Sequence, residues 1–340
     1  MRKLDALIAG STGYIGIQLI KLLNKHKNIN IKYLCGNTSV GKKITYYDKS
    51  LVSKKFPKII KFNKRLLKDV DIIFTALPNG EAQEISKYLL NKNTLIDLAA
   101  DFRLDKSSDY FKWYKQKHKY IKNIKKSIYA LPEISGKKIK NFQIIGCPGC
   151  YPTSILLPLI PLLQKKTIYT NNIIIDSKSG YSGAGRGVHK KYKHRNLYES
   201  LSAYGVGFHR HIAEINQELK KHSSSKINLI FTPHLTSMFR GILSTIYVDL
   251  KKDYNVNNIN SILKNFFRTS KFVKVLNTNS LLSTNDVVNT NNCYISVCQT
   301  KNKRKIVILS VIDNLIKGGA GQAIQNMNIK FNLNSSEGLK

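Results

Sequence analysis

The N-terminal stretch Leu4-Asp-Ala-Leu-Ile-Ala-Gly10-Ser-Thr-Gly13-Tyr-Ile-Gly16-Ile-Gln-Leu-Ile-Lys-Leu-Leu23 decides the fold. An apolar strand pattern runs into three glycines spaced three residues apart, and an amphipathic helix pattern follows. In such a turn Gly10 permits the chain reversal, Gly13 lets a pyrophosphate approach the backbone, and Gly16 lets the helix pack closely on the strand. The stretch therefore predicts a Rossmann-type dinucleotide-binding unit at the start of the chain.

Strand and helix patterns continue to alternate after this unit. Strand patterns cover 31–34, 71–78 and 95–98, and a helix pattern covers 81–90. This alternation predicts an α/β fold with a doubly wound parallel sheet, whose ligands bind at the carboxyl ends of the strands. Residues 105–127 are polar and rich in lysine, and they predict a surface segment.

The loop after the second strand pattern, Cys35–Lys43, bears on the choice of cofactor. An Asp or Glu here usually binds the free ribose 2′-hydroxyl of NAD. This loop contains neither, but its hydroxyls, amides and lysines suit a 2′-phosphate. We therefore predict NADP(H) over NAD(H). The alternative is an ordinary solvated basic loop.

A second informative stretch is Gly146-Cys147-Pro-Gly-Cys150-Tyr-Pro152-Thr-Ser154, which links a strand pattern to the apolar helix pattern 155–163. Prolines inside that helix pattern predict a kink. Cys150 is expected beside the helix N-terminus, where unpaired N–H groups and the helix dipole favour the thiolate. We therefore predict that Cys150 is a nucleophile. The alternative is a buried structural cysteine, since free cysteines are commonly buried.

The sequence pattern changes after Cys150, and two domains are predicted from this change. The first comprises residues 1–149 with 313–340 and binds NADP. The second comprises residues 150–312 and is a catalytic and oligomerisation domain of α+β type, with an open sheet and helices on one face.

Candidate functional residues recur in the second domain. The loop 177–186 contains Lys178 and Arg186, and its donors suit an oxyanion or a phosphate. His209 and His211 precede a helix pattern and are candidates for the base that assists a cysteine, although structural roles are equally open. A glycine-rich turn at 313–322 opens a last helix and is a further candidate anion site.

Composition limits the class of protein. The net charge of +36 suggests a nucleic-acid partner, but the lysines are scattered and no nucleic-acid-binding motif is present, so no specific nucleic acid is predicted. No apolar run is long enough to span a bilayer. The five cysteines predict reduced thiols in the cytoplasm. No metal site is predicted, because the Cys147-x-x-Cys150 pair has no second pair.

Ordered motifs along nearly the whole chain carry a family resemblance. They are Gly10–Gly16, Ala76–Gly80, Ile96–Arg103, Tyr129–Glu133, Pro148–Thr153, Lys178–Arg186, His209–Ile215, Thr232–Leu235, Arg240–Ile242 and Asn314–Gly321. Together they resemble the N-acetyl-gamma-glutamyl-phosphate reductases, the arginine-biosynthesis members of the semialdehyde-dehydrogenase-like enzymes. The resemblance implies NADPH-dependent reduction of an acyl phosphate through a thioester, by a homodimer or homotetramer.

The resemblance also implies roles for single residues. Cys150 is the nucleophile and His211 the acid/base, although the order of His209 and His211 stays open. The substrate is bound by Arg103, Lys178, Tyr204 and His209. For Arg103, a structural salt bridge with Asp101 or another acid is an equal alternative. The cofactor is bound by Gly10, Ser11, Thr12, Gly13, Tyr14, Ile15, Gly16, Ser39, Pro78, Ser182, Gly183, Asn314, Lys317 and Gly318.

Departures from the family pattern occur at Asn79, Cys147, Ala213 and Ser237. Cys147 matters most, because two thiols at this spacing could pair with each other. Two alternative functions remain at this point. One is another acyl-phosphate reductase of the same superfamily, such as aspartate-semialdehyde dehydrogenase or an enzyme for carrier-protein-bound aminoadipyl or glutamyl groups. The other is a nucleotide-sensing or nucleic-acid-binding protein on the same scaffold, which only the charge favours.

Overall fold

The computed structural model describes residues 2–52, 55–187 and 199–340. The chain folds into two compact units. The first comprises residues 1–148 with 319–339, and the second comprises residues 149–318 with the last residue. The chain passes into the second unit between Pro148 and Gly149 and returns between Gly318 and Gly319.

The first unit is built on a seven-stranded sheet with the order β3-β2-β1-β4-β5-β7-β6. Every neighbouring pair in it is parallel, so the predicted doubly wound parallel sheet is confirmed. Its strands are β1 (Leu4–Ala9), β2 (Ile29–Cys35), β3 (Ile59–Ile60), β4 (Ile72–Thr75), β5 (Thr94–Asp97), β6 (Ser127–Tyr129) and β7 (Ile144–Gly146). β4 and β5 are buried along their whole length, as strands covered on both faces must be.

Helices of the first unit follow the strands. They are α1 (Tyr14–Leu23), α2 (Glu81–Ser86), α3 (Ser107–Tyr114), α4 (Ile121–Ile124), α5 (Pro132–Ser135) and α9 (Gly321–Lys330), with 3₁₀ turns at Ile44–Tyr46, Lys49–Leu51, Lys64–Asp69 and Gly136–Asn141. The helix predicted over 81–90 ends at Ser86 instead. The Ser86 carbonyl accepts bonds from the Asn123 side-chain amide and from the Leu89 backbone, and residues 87–88 form a turn.

Most of the segment predicted at the surface, 105–127, is exposed or partly exposed, but four of its residues are buried. Tyr110 and Tyr114, one turn apart on α3, are buried and stack with ring centroids 4.9 Å apart. The Tyr110 hydroxyl donates to Asp101 over 2.6 Å. The lysines of this segment conceal an amphipathic pattern, because aromatic residues four apart share one helix face.

The second unit is built on a mixed seven-stranded sheet with the order β12-β13-β14-β11-β8-β10-β9. Its strands are β8 (Ile173–Gly180), β9 (Ser202–Ala203), β10 (Leu229–Thr236), β11 (Ile242–Asp249), β12 (Val273–Val275), β13 (Cys293–Gln299) and β14 (Lys305–Ile312). The pairs β8–β10 and β12–β13 are parallel, and the remaining pairs are antiparallel. β8 and β11 alternate buried and partly exposed residues, so one face of the sheet is covered and the other is open.

Helix α6 (Cys150–Gln164) forms the centre of the second unit. Residues 151–163 are all buried, and the helix continues through Pro158 and Pro161. It packs on β11 and β14 and against two further helices, α7 (His211–Lys221) and α8 (Val256–Phe266). The other helical segments are 3₁₀ turns at Tyr181–Ala184 and Thr284–Asp286 and a π-helical turn at Ile316–Ala320. Among the described residues, no helix combines the length and the apolar character needed to cross a membrane.

Candidate functional site

Cys150 is the first residue of α6, with Gly149 as its N-cap. The Thr153 amide donates to the Gly149 carbonyl over 3.0 Å and closes the first helical turn. Cys150 is partly exposed, and it lies at the end of α6 where the helix dipole favours a negative charge. This position matches what a cysteine nucleophile requires.

Two glycines of the second unit make close approaches around Cys150. A Cβ atom on Gly149 would lie 2.4 Å from Nε2 of His211, the first residue of α7, so the imidazole lies directly on the backbone before the cysteine. A Cβ atom on Gly318 would lie 2.7 Å from the Cβ of Cys150. Any larger residue at either position would push the histidine or the cysteine away.

Glu214, in the first turn of α7, was missed from the sequence as a functional residue. Its side chain is fully buried. The Gly149 amide donates to its Oε2 over 2.9 Å, and its Oε1 lies 3.8 Å from Nε2 of His211. The sequence spacing could have indicated this contact, because Glu214 is three residues after His211 and residues three apart lie on one face of a helix.

His209 differs from His211 in its environment. Its Nδ1 accepts a bond from the His211 amide over 3.2 Å, which caps the start of α7. Burial, and then the neighbouring His211, lower the pKa of His209 to about 3. The ring is therefore neutral near pH 7, with its proton on Nε2. It can donate a hydrogen bond to a ligand, but it cannot act as a cation.

Two tyrosines extend this cluster. The Tyr204 hydroxyl donates to the Tyr151 hydroxyl over 3.1 Å, and that hydroxyl donates to the His234 carbonyl over 3.1 Å. Burial raises the pKa of Tyr151, so its phenol stays protonated. The Tyr204 ring lies edge-on to His209, with centroids 5.4 Å apart. Tyr204 and His209, both predicted to bind substrate, thus lie together beside the residue that follows Cys150.

The prediction of a loop over residues 177–186 is wrong for residues 177–180. β8 continues to Gly180, because it pairs with β10 and β11 on its two sides. Lys178 therefore lies on a strand, with its Nζ 2.8 Å from Oδ1 of Asp176. The same carboxylate oxygen lies 3.1 Å from Nδ1 of His234. Substrate binding by Lys178 stays a prediction.

The predicted cofactor residues in the second unit are occupied in internal contacts. The Asn314 amide accepts from the Gly241 backbone over 2.7 Å and donates to Ser182 over 2.9 Å, and Gly183 lies beside it. Lys317 is fully buried, with its ammonium 5.7 Å from the centre of the Phe272 ring. Contact between these residues and a cofactor stays a prediction.

In the first unit, Arg103 is buried. Its Nε donates to the Cys147 carbonyl over 2.8 Å and its Nη2 to the Leu98 carbonyl over 2.9 Å. The Cys147 thiol is also buried, which raises its pKa to about 12 and keeps it protonated. All five cysteines are free thiols. Because its guanidinium donates to the Cys147 and Leu98 carbonyls, Arg103 has structural contacts of its own, and a role in substrate binding stays a prediction.

Two buried carboxylates shape the loop that carries Arg103. Asp97 accepts bonds from Thr75 and from the backbone of residues 99, 101 and 102. Burial, and then the charge of Asp101, raise the pKa of Asp97 to about 7. Asp101 accepts bonds from the Gly80 and Gln83 amides. This network was not predicted from the sequence.

The glycine turn of the first unit has the geometry expected for a dinucleotide. Gly10 has φ +82°, and the amides of Gly10 and Ser11 both donate to the Cys35 carbonyl. A Cβ atom on Gly16 would lie 2.3 Å from the Gly10 carbonyl oxygen. Thr12, Tyr14 and Ile15 complete the turn and begin α1.

A cavity of about 300 Å³ opens beside this turn. Its lining comprises Ala9, Gly10, Cys35, Gly36, Asn37, Lys61, Phe62, Leu77, Glu81, Glu84, Ile85 and Tyr88. It lies at the carboxyl ends of β1 and β2, the position where doubly wound sheets bind ligands. Ser39 is buried with its hydroxyl beside Gly36, and Pro78 is exposed after β4. Lys61, Phe62 and Tyr88 were not predicted, since nothing in their local sequence marks them.

Within the described ranges, no three His, Cys, Asp or Glu side chains come together as a metal ion would require.

Comparison with known proteins gives two family models in sequence order. Residues 5–142 match the semialdehyde dehydrogenase NAD binding domain, and residues 150–314 match the semialdehyde dehydrogenase dimerisation domain. The second family model ends where the chain is about to return to the first unit.

Curated relatives match over almost the whole chain. An N-acetyl-gamma-glutamyl-phosphate reductase of Thermoanaerobacter pseudethanolicus is 43% identical over 98% of this chain and 96% of its own length. One of Vesicomyosocius okutanii is also 43% identical, over 98% and 97%. A probable chloroplastic N-acetyl-gamma-glutamyl-phosphate reductase of Arabidopsis thaliana is 39% identical over 98% of this chain and 83% of its own length.

Solved structures share the fold at low sequence identity. Aspartate semialdehyde dehydrogenase II from Vibrio cholerae matches with a TM-score of 0.72 at 14% identity, over 98% of this chain and 99% of that one. Aspartate semialdehyde dehydrogenase from Candida albicans, solved with NADP, matches with a TM-score of 0.67 at 17% identity, over 96% of this chain and 98% of that one.

Proposed function

Because the chain belongs to the N-acetyl-gamma-glutamyl-phosphate reductase family, we propose that it reduces N-acetyl-L-glutamyl 5-phosphate to N-acetyl-L-glutamate 5-semialdehyde in arginine biosynthesis. The reaction consumes NADPH and releases phosphate, and we place it in the cytoplasm. The observation that carries the proposal is Cys150 at the N-terminus of α6, with the imidazole of His211 lying on Gly149.

The first step forms a thioester. The Cys150 thiolate attacks the acyl carbon of the substrate, the carbon–oxygen bond to phosphate breaks, and phosphate leaves with that electron pair. The helix dipole at the first turn of α6 stabilises the thiolate before attack, and the same positive potential can stabilise the oxyanion that develops on the acyl oxygen. A thioester is a good intermediate, because its carbonyl accepts hydride readily and the thiolate leaves easily.

The second step reduces the thioester. NADPH, when bound, supplies the hydride to the thioester carbon. His211 donates a proton to the carbonyl oxygen as charge develops there. It takes that proton back when the thiohemiacetal collapses to the aldehyde and the Cys150 thiolate. We assign the proton transfer to His211 rather than His209, since Nδ1 of His209 is used in capping α7 and its ring is held neutral.

The remaining polar residues are proposed as substrate ligands. The neutral Nε2–H of His209 and the Tyr204 hydroxyl are suited to hydrogen-bond the acyl or phosphate oxygens. Arg103 and Lys178 are suited to bind anionic groups. Lys178 would have to share its charge with Asp176, so we expect its contribution to be the smaller of the two.

We propose the first unit as the NADP-binding domain. Gly10, Gly13 and Gly16 would hold the pyrophosphate, and the cavity beside them would take the adenosine half, with Phe62 and Tyr88 as candidates to contact the base. NADP is favoured over NAD because Asn37 stands where a ribose-binding acid is usual, and Lys61 lines the same cavity. Titration of the protein with both cofactors, followed by nicotinamide or tryptophan fluorescence, tests this preference.

The second unit is proposed to form a homodimer, or a homotetramer built from dimers, through the open face of its sheet. Neighbouring strands there expose Ile230 and Tyr247, and Ile174 lies between them in register. Exposed apolar area of this kind is typical of interfaces. Light scattering at micromolar protein should give a dimer or larger, and Ile230→Arg should lower the mass to that of a monomer.

The proposed reaction is tested in reverse. Purified protein is mixed with N-acetylglutamate semialdehyde, phosphate and NADP⁺, and NADPH absorbance is followed. Cys150→Ser should abolish turnover while far-ultraviolet circular dichroism and the melting temperature stay close to those of the wild type. A parallel panel with aspartate semialdehyde and with carrier-protein-bound substrates separates related acyl-phosphate reductases. Turnover of one of these in preference to N-acetylglutamate semialdehyde would overturn the substrate assignment.

A further inference from the structure

The carboxylate of Glu214, in the second unit, contacts both His211 and Gly149, the residue before Cys150. Glu214 accepts the Gly149 amide at Oε2 over 2.9 Å, and Gly149 is the N-cap of the helix that Cys150 begins. Its other oxygen, Oε1, lies 3.8 Å from Nε2 of His211. The Glu214 side chain has no exposed surface, whereas His211 is 17% exposed.

Because Glu214 is buried, its charge has to be stabilised by the groups that contact it. A carboxylate withdrawn from water is costly unless hydrogen bonds and a positive charge compensate it. The Gly149 amide supplies a charge-assisted hydrogen bond, and His211, when protonated, is a cationic partner at ion-pair distance. The negative charge in turn favours the imidazolium over the neutral ring.

Glu218, one turn further along the same helix, is a carboxylate with structural contacts. Glu218 is also largely buried, but its Oε1 binds the Lys221 ammonium and the Gln217 amide over 2.7 and 2.8 Å. These two contacts run along α7, to Gln217 before Glu218 and to Lys221 after it. The difference between the two glutamates provides an internal control.

We propose that Glu214 is a positioning residue for the reaction, which rests on the proposed roles of Cys150 and His211. Its charge holds His211 as an imidazolium on the backbone of Gly149, and its hydrogen bond fixes the N-cap from which α6 starts. The imidazolium stabilises the neighbouring thiolate before attack, and it carries the proton that the reduced thioester later needs. Glu214 itself touches neither substrate nor cofactor.

Glu214→Gln tests the charge separately from the shape. Glutamine keeps an oxygen that can accept the Gly149 amide, but it carries no charge to hold the imidazolium. We measure the rate of alkylation of Cys150 by iodoacetamide from pH 5 to pH 10, with peptide mass spectrometry to read Cys150 alone. In the wild type, Cys150 should already react at pH values below the range in which an ordinary cysteine thiol ionises. The variant should react at least about tenfold more slowly at pH 6 and equal the wild type at pH 10.

Glu218→Gln is the matched control and should leave the alkylation profile unchanged. Glu214→Asp keeps the charge, so it should retain the reactivity at low pH even if its rate is reduced. It also serves if Glu214→Gln does not fold. In turnover assays, Glu214→Gln should lower kcat about 10–100-fold with a small change in KM, because ground-state substrate contacts are untouched.

The alkylation assay needs no substrate, so it separates this inference from the proposed function. If the wild type turns over no acyl phosphate but Glu214→Gln still loses reactivity at low pH, the inference stands and the proposed function fails. Superimposable alkylation profiles of folded Glu214→Gln and the wild type would overturn the inference. Equal profiles of Glu214→Asp and Glu214→Gln would also overturn it, since the charge would then have no effect.

Discussion

Gly318 lies directly against the proposed nucleophile, Cys150. Its Cα faces Cys150, and a methyl group there would lie 2.7 Å from the Cys150 Cβ, a distance that requires one of the two to move. Gly318→Ala should therefore displace the thiol and lower kcat/KM about 100-fold, as displacements near 1 Å do. Steady-state kinetics in the reverse direction measure the loss.

Gly187→Ala is the control for this variant, because no residue that the structure describes lies within 4 Å of the position where its Cβ would be. It should keep wild-type kinetics. Full activity of Gly318→Ala would show that Cys150 tolerates the shift, and the argument for a fixed thiol position would then be wrong.

His209 predicts a pH dependence of stability. Its pKa is about 3 in the folded protein, against an ordinary value of 6.5, so the folded state holds it neutral while the unfolded chain gains a proton on acidification. Stability from this group is therefore present above pH 6.5 and is lost as the pH falls toward 3. Between pH 7 and pH 5 the loss should be about 2 kcal/mol.

The measurement is urea unfolding at both pH values for the wild type and for His209→Asn, whose Oδ1 can still accept the His211 amide. The pKa values of His26 and His118 are also lowered by burial, so both proteins lose some stability in acid. The wild type should lose more than the variant. Equal losses would place the His209 ring in contact with water.

At the scale of elements, a buried hydroxyl cluster joins the nucleophile helix to its sheet. Ser244 on β11 lies 2.7 Å from the hydroxyls of both Ser154 on α6 and Ser177 on β8. Ser244→Ala leaves two buried hydroxyls without this partner and should cost about 1–3 kcal/mol in the free energy of unfolding. Chemical denaturation measures it.

The triple variant, with alanine at positions 154, 177 and 244, is the informative comparison. Removing all three hydroxyls leaves none of the hydroxyls of the cluster without its partner, so the triple variant should be less destabilised than the sum of the single changes. Additive losses would mean that each serine contributes through contacts outside the cluster.

Local pattern was enough to predict most elements that position the site. The strand, glycine turn and helix at the N-terminus, and the helix that Cys150 begins, follow from apolar periodicity and turn residues alone. The end of β8 could not be found this way. A Ser-Gly-rich segment is typical of a loop, and only pairing with β10 and β11 makes residues 177–180 a strand.

The candidate site shows a similar limit. Cys150 and His211 could be predicted as site residues because their residue types carry chemistry and both precede helix patterns. The sequence places Glu214 only within a helix pattern, because glutamates are common in the first turn of helices and do not by themselves indicate a functional site. Its contact with Gly149 joins residues 65 positions apart, which no local pattern contains. The Asp97 network was missed for the same reason.

At the scale of the whole molecule, the net charge of +36 predicts how the enzyme responds to salt. Both the acyl phosphate and NADPH are polyanions, so a positive protein should attract them over a range set by the Debye length, about 30 Å at 0.01 M and 8 Å at 0.15 M salt. The value of kcat/KM for the acyl phosphate should therefore fall about tenfold or more between these salt concentrations, with kcat nearly unchanged.

Alkylation of Cys150 by iodoacetamide separates this long-range attraction from a local effect of salt on the site. Iodoacetamide is neutral, so its rate at fixed pH should change by less than about twofold over the same salt range. A parallel fall in both rates would mean that salt acts on the thiolate, because only a charged substrate is steered by the field of the protein. A flat kcat/KM would leave the excess of lysine without a role in catalysis, since screening must weaken any attraction that charge alone provides.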